Sequence, residues 1–430
     1  MELLRIGAPR DAKRLERLLN RRSLERDVEP RVRPIVDGVR RRGDAAVVEY
    51  TRRFDGVTLT PARFRVSARE IKAALDAVGP TLLRALRAAK RNVEAYHKRQ
   101  RRSSWTMTAA SGAVLGERIL PLRRVACYVP GGVAPLVSTV LMTAVPAKIA
   151  GVEEIVVATP PGKAGRVNPA ILAACAICRV DEVYRIGGAQ AIAALAYGTR
   201  TIRRVDKIVG PGNIYVMTAK KLVYGDVALD APSGPSEVLV LADATADPRW
   251  VAADVVSQAE HGTGHEYAVL VTTSSRLAEQ VRAAIGAELH ELPSLSRVRA
   301  RLEEGITLVI APSMARAIEF ANVFGAEHLE IIARDARRIG ARVTNAGAIF
   351  IGPYSPVPVG DFAAGPSHCL PTGGASAMFS GLSVDDFVKR VSTIECPRAA
   401  LTKLAPVVEA FAEAEHLPAH ARTVRERLER

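Results

Sequence analysis

The chain has 430 residues, 48% of them hydrophobic and 24% charged, with a formal net charge of +15. That length and apolar content give a large core and exclude a disordered chain. No apolar run approaches the roughly 20 residues of a membrane span, and Met1 to Asn20 lacks the apolar core of a signal peptide, so a cytoplasmic protein is expected. The excess of arginine raises nucleic acid as a partner. The basic runs Arg40–Arg42 and Lys98–Arg102 have only Tyr96 and Trp105 near them, and no reader motif is present. Solvated faces explain the charge better, and no nucleic-acid partner is expected.

In chain order, residues 1 to about 100 read as mostly helical. Ile35, Val36 and Val39 have helical spacing, Gly43-Asp44 supplies a cap, and Val47 and Val48 open a second apolar face. Ile71 to Tyr96 reads as one long helix. From about 125 to 350, short β-branched strands alternate with Ala-rich helices: VACYV, EIVVA, EVYRI, KIV, EVLVLA, YAVLV, TLVIA, LEIIA and AIFI. Near-continuous apolar strands belong to parallel sheets covered on both faces. The expected fold class is α/β. It has two Rossmann-like, mostly parallel-sheet domains without GxGxxG, plus small helical N- and C-terminal segments.

The expected divisions are a helical arm at 1–25, a first domain from 26–125 together with 238–380, a second from 126–237, and a helical tail at 381–430. The first hundred residues are expected to pack on the second sheet. Beyond Ser380 no strand is expected, and Asp385–Lys389 and Ala399–Arg430 read as helical. So small a tail cannot bury a core alone and must pack on its own chain or on a partner.

Five of the eight histidines fall in four polar segments. SQAEHG carries Gln258 and His261, and GAEHL carries Glu327 and His328. GDFAAGPSH carries Asp361 and His368, and EHLPAH carries Glu415, His416 and His420. Gln258 and His261 share a helix face, so both can converge on one ion. Imidazole and a carboxylate such as Asp361 suit zinc. Taken alone, such a pair is more often a surface or core pair. Glu327 and His328 stand at a helix-to-strand junction, where an acid and an imidazole can transfer a proton, although an isolated Glu-His is more often a solvated loop pair. Asp361 lies in an 18-residue Gly- and Pro-rich stretch, 351–368, read as irregular and functional because its flanks are apolar.

Glycine turns follow three strands: YVPGG at 128–132, IGGAQ at 186–190 and VGPGN at 209–213. They can aim backbone N–H groups at a phosphate or simply be tight βα turns. Cys175 and Cys178 form a CxxC inside an apolar helix with no second pair, which reads as core rather than a zinc knuckle.

Taken together, these segments resemble the histidinol dehydrogenase family. The similarity runs from VRRRGDAAVVEYTRRFDGV at 39–57 through STVLM, GGAQAIAALAYG, VDKIVGPGN, GPSEVLV, SQAEHG, AEHL and GDFAAGPSHCLPT to EHLPAH. It implies an NAD-dependent, zinc-containing oxidation of L-histidinol through L-histidinaldehyde to L-histidine. A related dehydrogenase of another small polar alcohol is the alternative. By resemblance, Gln258, His261, Asp361 and His420 match zinc ligands, one ion per subunit. Tyr128, Gln190 and Asn213 match NAD contacts. Ser236, His328, His368 and Glu415 match substrate contacts, alongside the zinc ligands, which also border the substrate. Glu327 and His328 match the acid–base pair, with His328 read as a neutral imidazole. The resemblance also implies a homodimer whose sites take His420 and Glu415 from the partner chain, which gives the orphan tail a role. Ala126, Ala326 and Ser367 depart from the family's usual Gly, Pro and Asn; each stands beside a site residue, none at one.

Overall fold

A computed structural model describes residues 1–21, 28–131, 135–232, 234–259, 266–291 and 305–429. The chain opens on strand β1 (Glu2–Arg5) and helix α1 (Ala12–Leu19), followed by α2 (Glu29–Arg42), α3 (Asp44–Asp55), α4 (Ala68–Ala77) and α5 (Pro80–Lys98). Gly43, at φ +55°, turns α2 into α3, as the Gly-Asp pair predicts. The expected long helix from Ile71 is two helices, because Gly79-Pro80 breaks it and Pro80 opens the second. A capping box between Ser67 and Glu70 starts α4.

Two strands, β2 (Trp105–Thr108) and β3 (Val114–Pro121), precede the first parallel sheet. That sheet comprises β4 (Arg124–Tyr128), β5 (Glu154–Ala158), β6 (Glu182–Tyr184), β7 (Lys207–Val209) and β8 (Ala228–Leu229), in the order β6-β5-β4-β7-β8. Its crossovers are α6 (Val137–Ala150), α7 (Pro169–Cys178), α8 (Gly188–Tyr197) and α9 (Ile214–Leu222). The strand order reverses between β4 and β7, so a ligand crevice is expected beyond their carboxyl ends.

The second sheet takes β9 (Glu237–Ala242), β10 (Tyr267–Thr272), β11 (Ile306–Ile310), β12 (His328–Ile332) and β13 (Ala348–Ile351). All its pairs are parallel, in the order β1-β11-β10-β9-β12-β13, so β1 joins as an edge strand. Its helices are α10 (Pro248–Ala259), α11 (Ser275–Glu291), α12 (Met314–Phe324) and α13 (Ala336–Gly340).

The helices of residues 29–98 lie on the first sheet, not on the second as the sequence predicts. The two faces of β4 alternate, and each recruits its own helices. Ala126 and Tyr128 pack with Val36, Val47 and Tyr50 of α2 and α3. Val125 and Cys127 face the other way and join Leu86 and Val93 of α5, with Cys175 and Cys178 in that same core. The second sheet has no face left for them. Val238 and Val240 pack under α10 and α11, while Leu239 and Leu241 pack with Leu18 and Phe324. Each such fully buried Val or Leu contributes about 1.5–3 kcal/mol.

Strands do not stop at Ser380. β14 (Val388–Glu395) pairs antiparallel with β3 over eight residues, and β2 completes a three-stranded sheet. Asp385 belongs to a short 3-10 turn rather than to a helix. β14 is mostly exposed, so its sequence, VKRVSTIE, carries no continuous apolar signal. The chain ends in an antiparallel hairpin of α14 (Arg398–Ala414) and α15 (Pro418–Leu428), which packs chiefly on itself.

A candidate active site between opposed sheet edges

A cavity of about 1140 Å³ separates the carboxyl edge of the five-stranded sheet from the amino edge of the six-stranded one. Tyr128 ends β4, Gln190 lies in the first turn of α8, and Asn213 caps α9; all three line the cavity. Ser236 and Glu237, at the start of β9, line the opposite wall.

The glycine turns set this wall. Gly210 has φ +110°, and a Cβ there would fall 2.3 Å from the Tyr128 carbonyl oxygen. Buried Lys220 donates to the Gly210 carbonyl at 2.8 Å and pairs with Asp230, whose carboxylate accepts the Gly210 N–H at 2.6 Å. The Tyr128 hydroxyl accepts the Gly188 N–H at 3.0 Å. Gln190 is buried and donates to Asp55 at 3.4 Å, while its amide oxygen has no hydrogen-bond partner. Burial pushes Asp55 up to about 6. Asn213 Oδ1 accepts the Tyr215 and Val216 N–H groups, each at 3.1 Å, so this residue is a helix cap and a cavity residue at once.

Glu327 and His328 lie one layer behind that opposite wall, both buried. Glu327 Oε2 accepts the backbone N–H of Glu237 at 2.8 Å, and His328 Nδ1 donates to the carbonyl of the same residue at 3.1 Å. A carbonyl only accepts, so the proton sits on Nδ1 and Nε2 becomes the nitrogen available for exchange. Nε2 lies 3.4 Å from Asp361 Oδ1, and Nδ1 lies 3.6 Å from Glu327 Oε2. Burial pushes the Glu327 carboxyl up to about 7, partly offset by His328. Burial works against the charged imidazole, but Glu327 and Asp361 outweigh it and raise His328 to about 9. Without a cation on Asp361, the two carboxylates thus favour the charged imidazole over the neutral form expected from sequence.

Asp361 occupies a π-helical turn, Gly360–Ala364, and Val357–Val359 forms a helical turn before it. The 351–368 stretch is thus partly helical where the sequence predicts irregular loop. His368 donates from Nδ1 to the Asp361 carbonyl at 3.1 Å, and its Nε2 meets the Thr139 hydroxyl at 3.1 Å. Gln258 is buried in the last turn of α10, and its amide nitrogen has no hydrogen-bond partner. One turn earlier, Asp254 lies close enough to Glu330 of β12 for the two carboxyls to influence each other's protonation. His261 lies outside the described residues. Glu415 and His420 are exposed, at the tip and on the second helix of the terminal hairpin. Among the described residues no group of three or more His, Cys, Asp or Glu has the geometry to hold a metal ion.

The structure therefore joins Glu327, His328, Asp361 and His368 by direct contacts. It sets Tyr128, Gln190, Asn213 and Ser236 around one cavity, and leaves the tail residues outside. Sequence reasoning missed Arg21, Asp55, Asp254, Glu237 and Glu330. The last two carried a readable signal, a charged residue inside an otherwise apolar strand, in EVLVLA and LEIIA.

The family model for histidinol dehydrogenase matches residues 19–428. Histidinol dehydrogenase of Moorella thermoacetica is 49% identical over 415 residues, covering 96% of this chain and 98% of that one. The Heliobacterium mobile enzyme is 48% identical, covering 94% of each. The crystal structure of histidinol dehydrogenase from Elizabethkingia anophelis superposes with a TM-score of 0.92 at 35% identity, covering 100% of this chain and 98% of that one. Motifs, fold and near-complete coverage agree, and the chain belongs to the histidinol dehydrogenase family of oxidoreductases.

Proposed function

We propose that the chain is a zinc-containing, NAD-dependent histidinol dehydrogenase, a cytoplasmic homodimer that oxidises L-histidinol through L-histidinaldehyde to L-histidine. The observation that carries this reading is the buried Glu327–His328 pair, joined through the Glu237 backbone to a wall of the cavity that Tyr128, Gln190 and Asn213 also line.

The donor set fits zinc. Gln258 is buried and would ligate through its amide oxygen, Asp361 offers a carboxylate, and His261 and His420 offer imidazoles. When bound, zinc supplies a template for the substrate's imidazole and amine, and NAD supplies the hydride acceptor. Three features support assigning NAD to Tyr128, Gln190 and Asn213: the positive-φ glycine turns, the buried amide oxygen of Gln190, and a cavity at the strand-order reversal.

His328 Nε2 takes the hydroxyl proton as the alcohol loses hydride. Were Asp361 to hold zinc, its carboxylate charge would be engaged there, its hold on the His328 proton would weaken, and the imidazole would be able to act as base. Glu327, poised at about 7, takes a proton from the water that adds to the aldehyde before the second hydride leaves. Ser236 and His368 position the substrate.

Glu415 and His420 of the partner subunit complete the site. Supporting this, the hairpin and the three-stranded sheet expose apolar side chains, among them Ile394 at 77% and Phe411 at 64%. Among the described residues no helix is long and apolar enough to cross a membrane.

The test is NADH formation from L-histidinol, before and after chelation and with His328→Asn. About two NADH per histidinol, abolished by either treatment, is the expected result. Protein that binds zinc and NAD but ignores histidinol would move the reading to another small polar alcohol.

A further inference from the structure

We propose that Arg21 is a positioning residue for the Glu327–His328 pair, acting through Glu237. This rests on the reading of that pair as acid and base. Arg21 ends the described N-terminal arm, and its guanidinium is buried with the Glu237 carboxylate, side-chain exposures being 1% and 2%. Nε and Nη2 reach the two carboxylate oxygens at 2.5 and 2.8 Å, a two-pronged fork that lysine cannot reproduce. Nη2 also donates to the Phe324 carbonyl at 2.8 Å, and the guanidinium lies 3.6 Å from the centre of the Phe324 ring.

These two attachments bracket the pair. Phe324 is the last residue of α12, three positions before Glu327. Glu237 is the first residue of β9, and its N–H and C=O serve Glu327 and His328 respectively. One guanidinium thus fixes both the backbone that orients the two side chains and the start of the turn that delivers them.

A buried ion pair is weak evidence of stabilisation, because desolvation offsets much of the attraction. A pair placed at the node of the reacting groups has a different use. A displacement of about 1 Å there costs on the order of 100-fold in rate.

The test uses the zinc-loaded dimer with three variants: Arg21→Lys, Arg21→Met and the double variant Arg21→Met/Glu237→Gln, which leaves no lone buried charge. Steady-state rates are read together with the Nδ1 proton of His328 by 15N-resolved NMR, assigned through its loss in His328→Asn. In folded variants kcat is expected to fall by about 10- to 100-fold, KM for NAD to stay within about twofold, and the Nδ1 proton to exchange faster. Arg21→Met alone leaves Glu237 buried and unpaired and can fail to fold; Arg21→Lys and the double variant then decide. Wild-type kcat in folded variants, or a lowered kcat with an unchanged Nδ1 proton, overturns the proposal. If the wild-type protein does not oxidise histidinol, the functional reading fails instead, and the Nδ1 proton still tests the clamp.

Discussion

His328 Nε2 lies 3.4 Å from Asp361 Oδ1, with both side chains largely buried. The proposed proton-transfer pair and a proposed zinc ligand are therefore one electrostatic unit, and neither can be altered without the other responding.

Replacing either member of the pair should remove chemistry and spare binding. His328→Asn and Glu327→Gln are each expected to lower kcat by about 10²- to 10⁴-fold while KM for NAD changes little. Steady-state NADH formation gives the split. A variant that loses affinity instead of rate would assign the residue to binding.

Asp361→Asn should bind zinc far more weakly. Elemental analysis of dialysed protein should find the metal depleted, and catalysis lost with it. In chelated wild-type protein, zinc should restore turnover and magnesium should not, because a mixed nitrogen and oxygen donor set does not suit the latter.

Sites shared between subunits, as proposed, predict complementation. Asp361→Asn and His420→Asn homodimers should each be inactive. Mixing and re-associating them should recover about a quarter of the wild-type activity, since half of random dimers carry one intact site of two. No recovery in confirmed mixed dimers would place His420 on the site of its own chain.

Gly210→Ala should destabilise the cavity wall proposed to hold NAD. The new Cβ would meet the Tyr128 carbonyl, and φ +110° is unfavourable for any side chain. A loss of at least about 2 kcal/mol is expected in denaturant unfolding, with weaker NAD binding. Gly225, also at positive φ but with nothing near its missing Cβ, is the control and should lose less.

The buried Asp254–Glu330 pair predicts an alkaline decline in stability. Burial raises both carboxyls, and the charge of Asp254 raises Glu330 further, while Glu330 partly offsets the rise at Asp254. A raised folded pKa means the folded chain binds more protons than the unfolded one, so this contribution is present at acid pH and is lost as pH rises above the ordinary carboxyl range. Glu330→Gln cannot ionise and should flatten that decline in melting temperature between pH 5 and about 9. An unchanged slope would show that the pair does not control it.

Much of this was readable without coordinates. The apolar runs EVLVLA and EIVVA could only be strands covered on both faces, because continuous Val, Leu and Ile leave no polar side for water. Gly43 marks a chain reversal because its own backbone geometry requires it, whereas the break at Pro80 is hidden by the apolar period that runs on from Ile71 to Tyr96. The segments carrying Glu327, His328, Asp361 and His368 were legible as a set only through resemblance, since each alone had an ordinary explanation. The exposed strand β14 was not legible, because half-polar edge residues carry no period.

The sequence by itself determined the local elements, the family, and the residue types available for chemistry. Tertiary structure decided which sheet took the N-terminal helices. It also decided that Arg21 reaches Glu237, 216 residues away, and that two carboxylates surround His328 and shift its proton affinity. The physical reason is range. Propensity, caps and periodicity act within a few residues. Charge burial and side-chain contact depend on distances that exist only once opposed sheet edges have met.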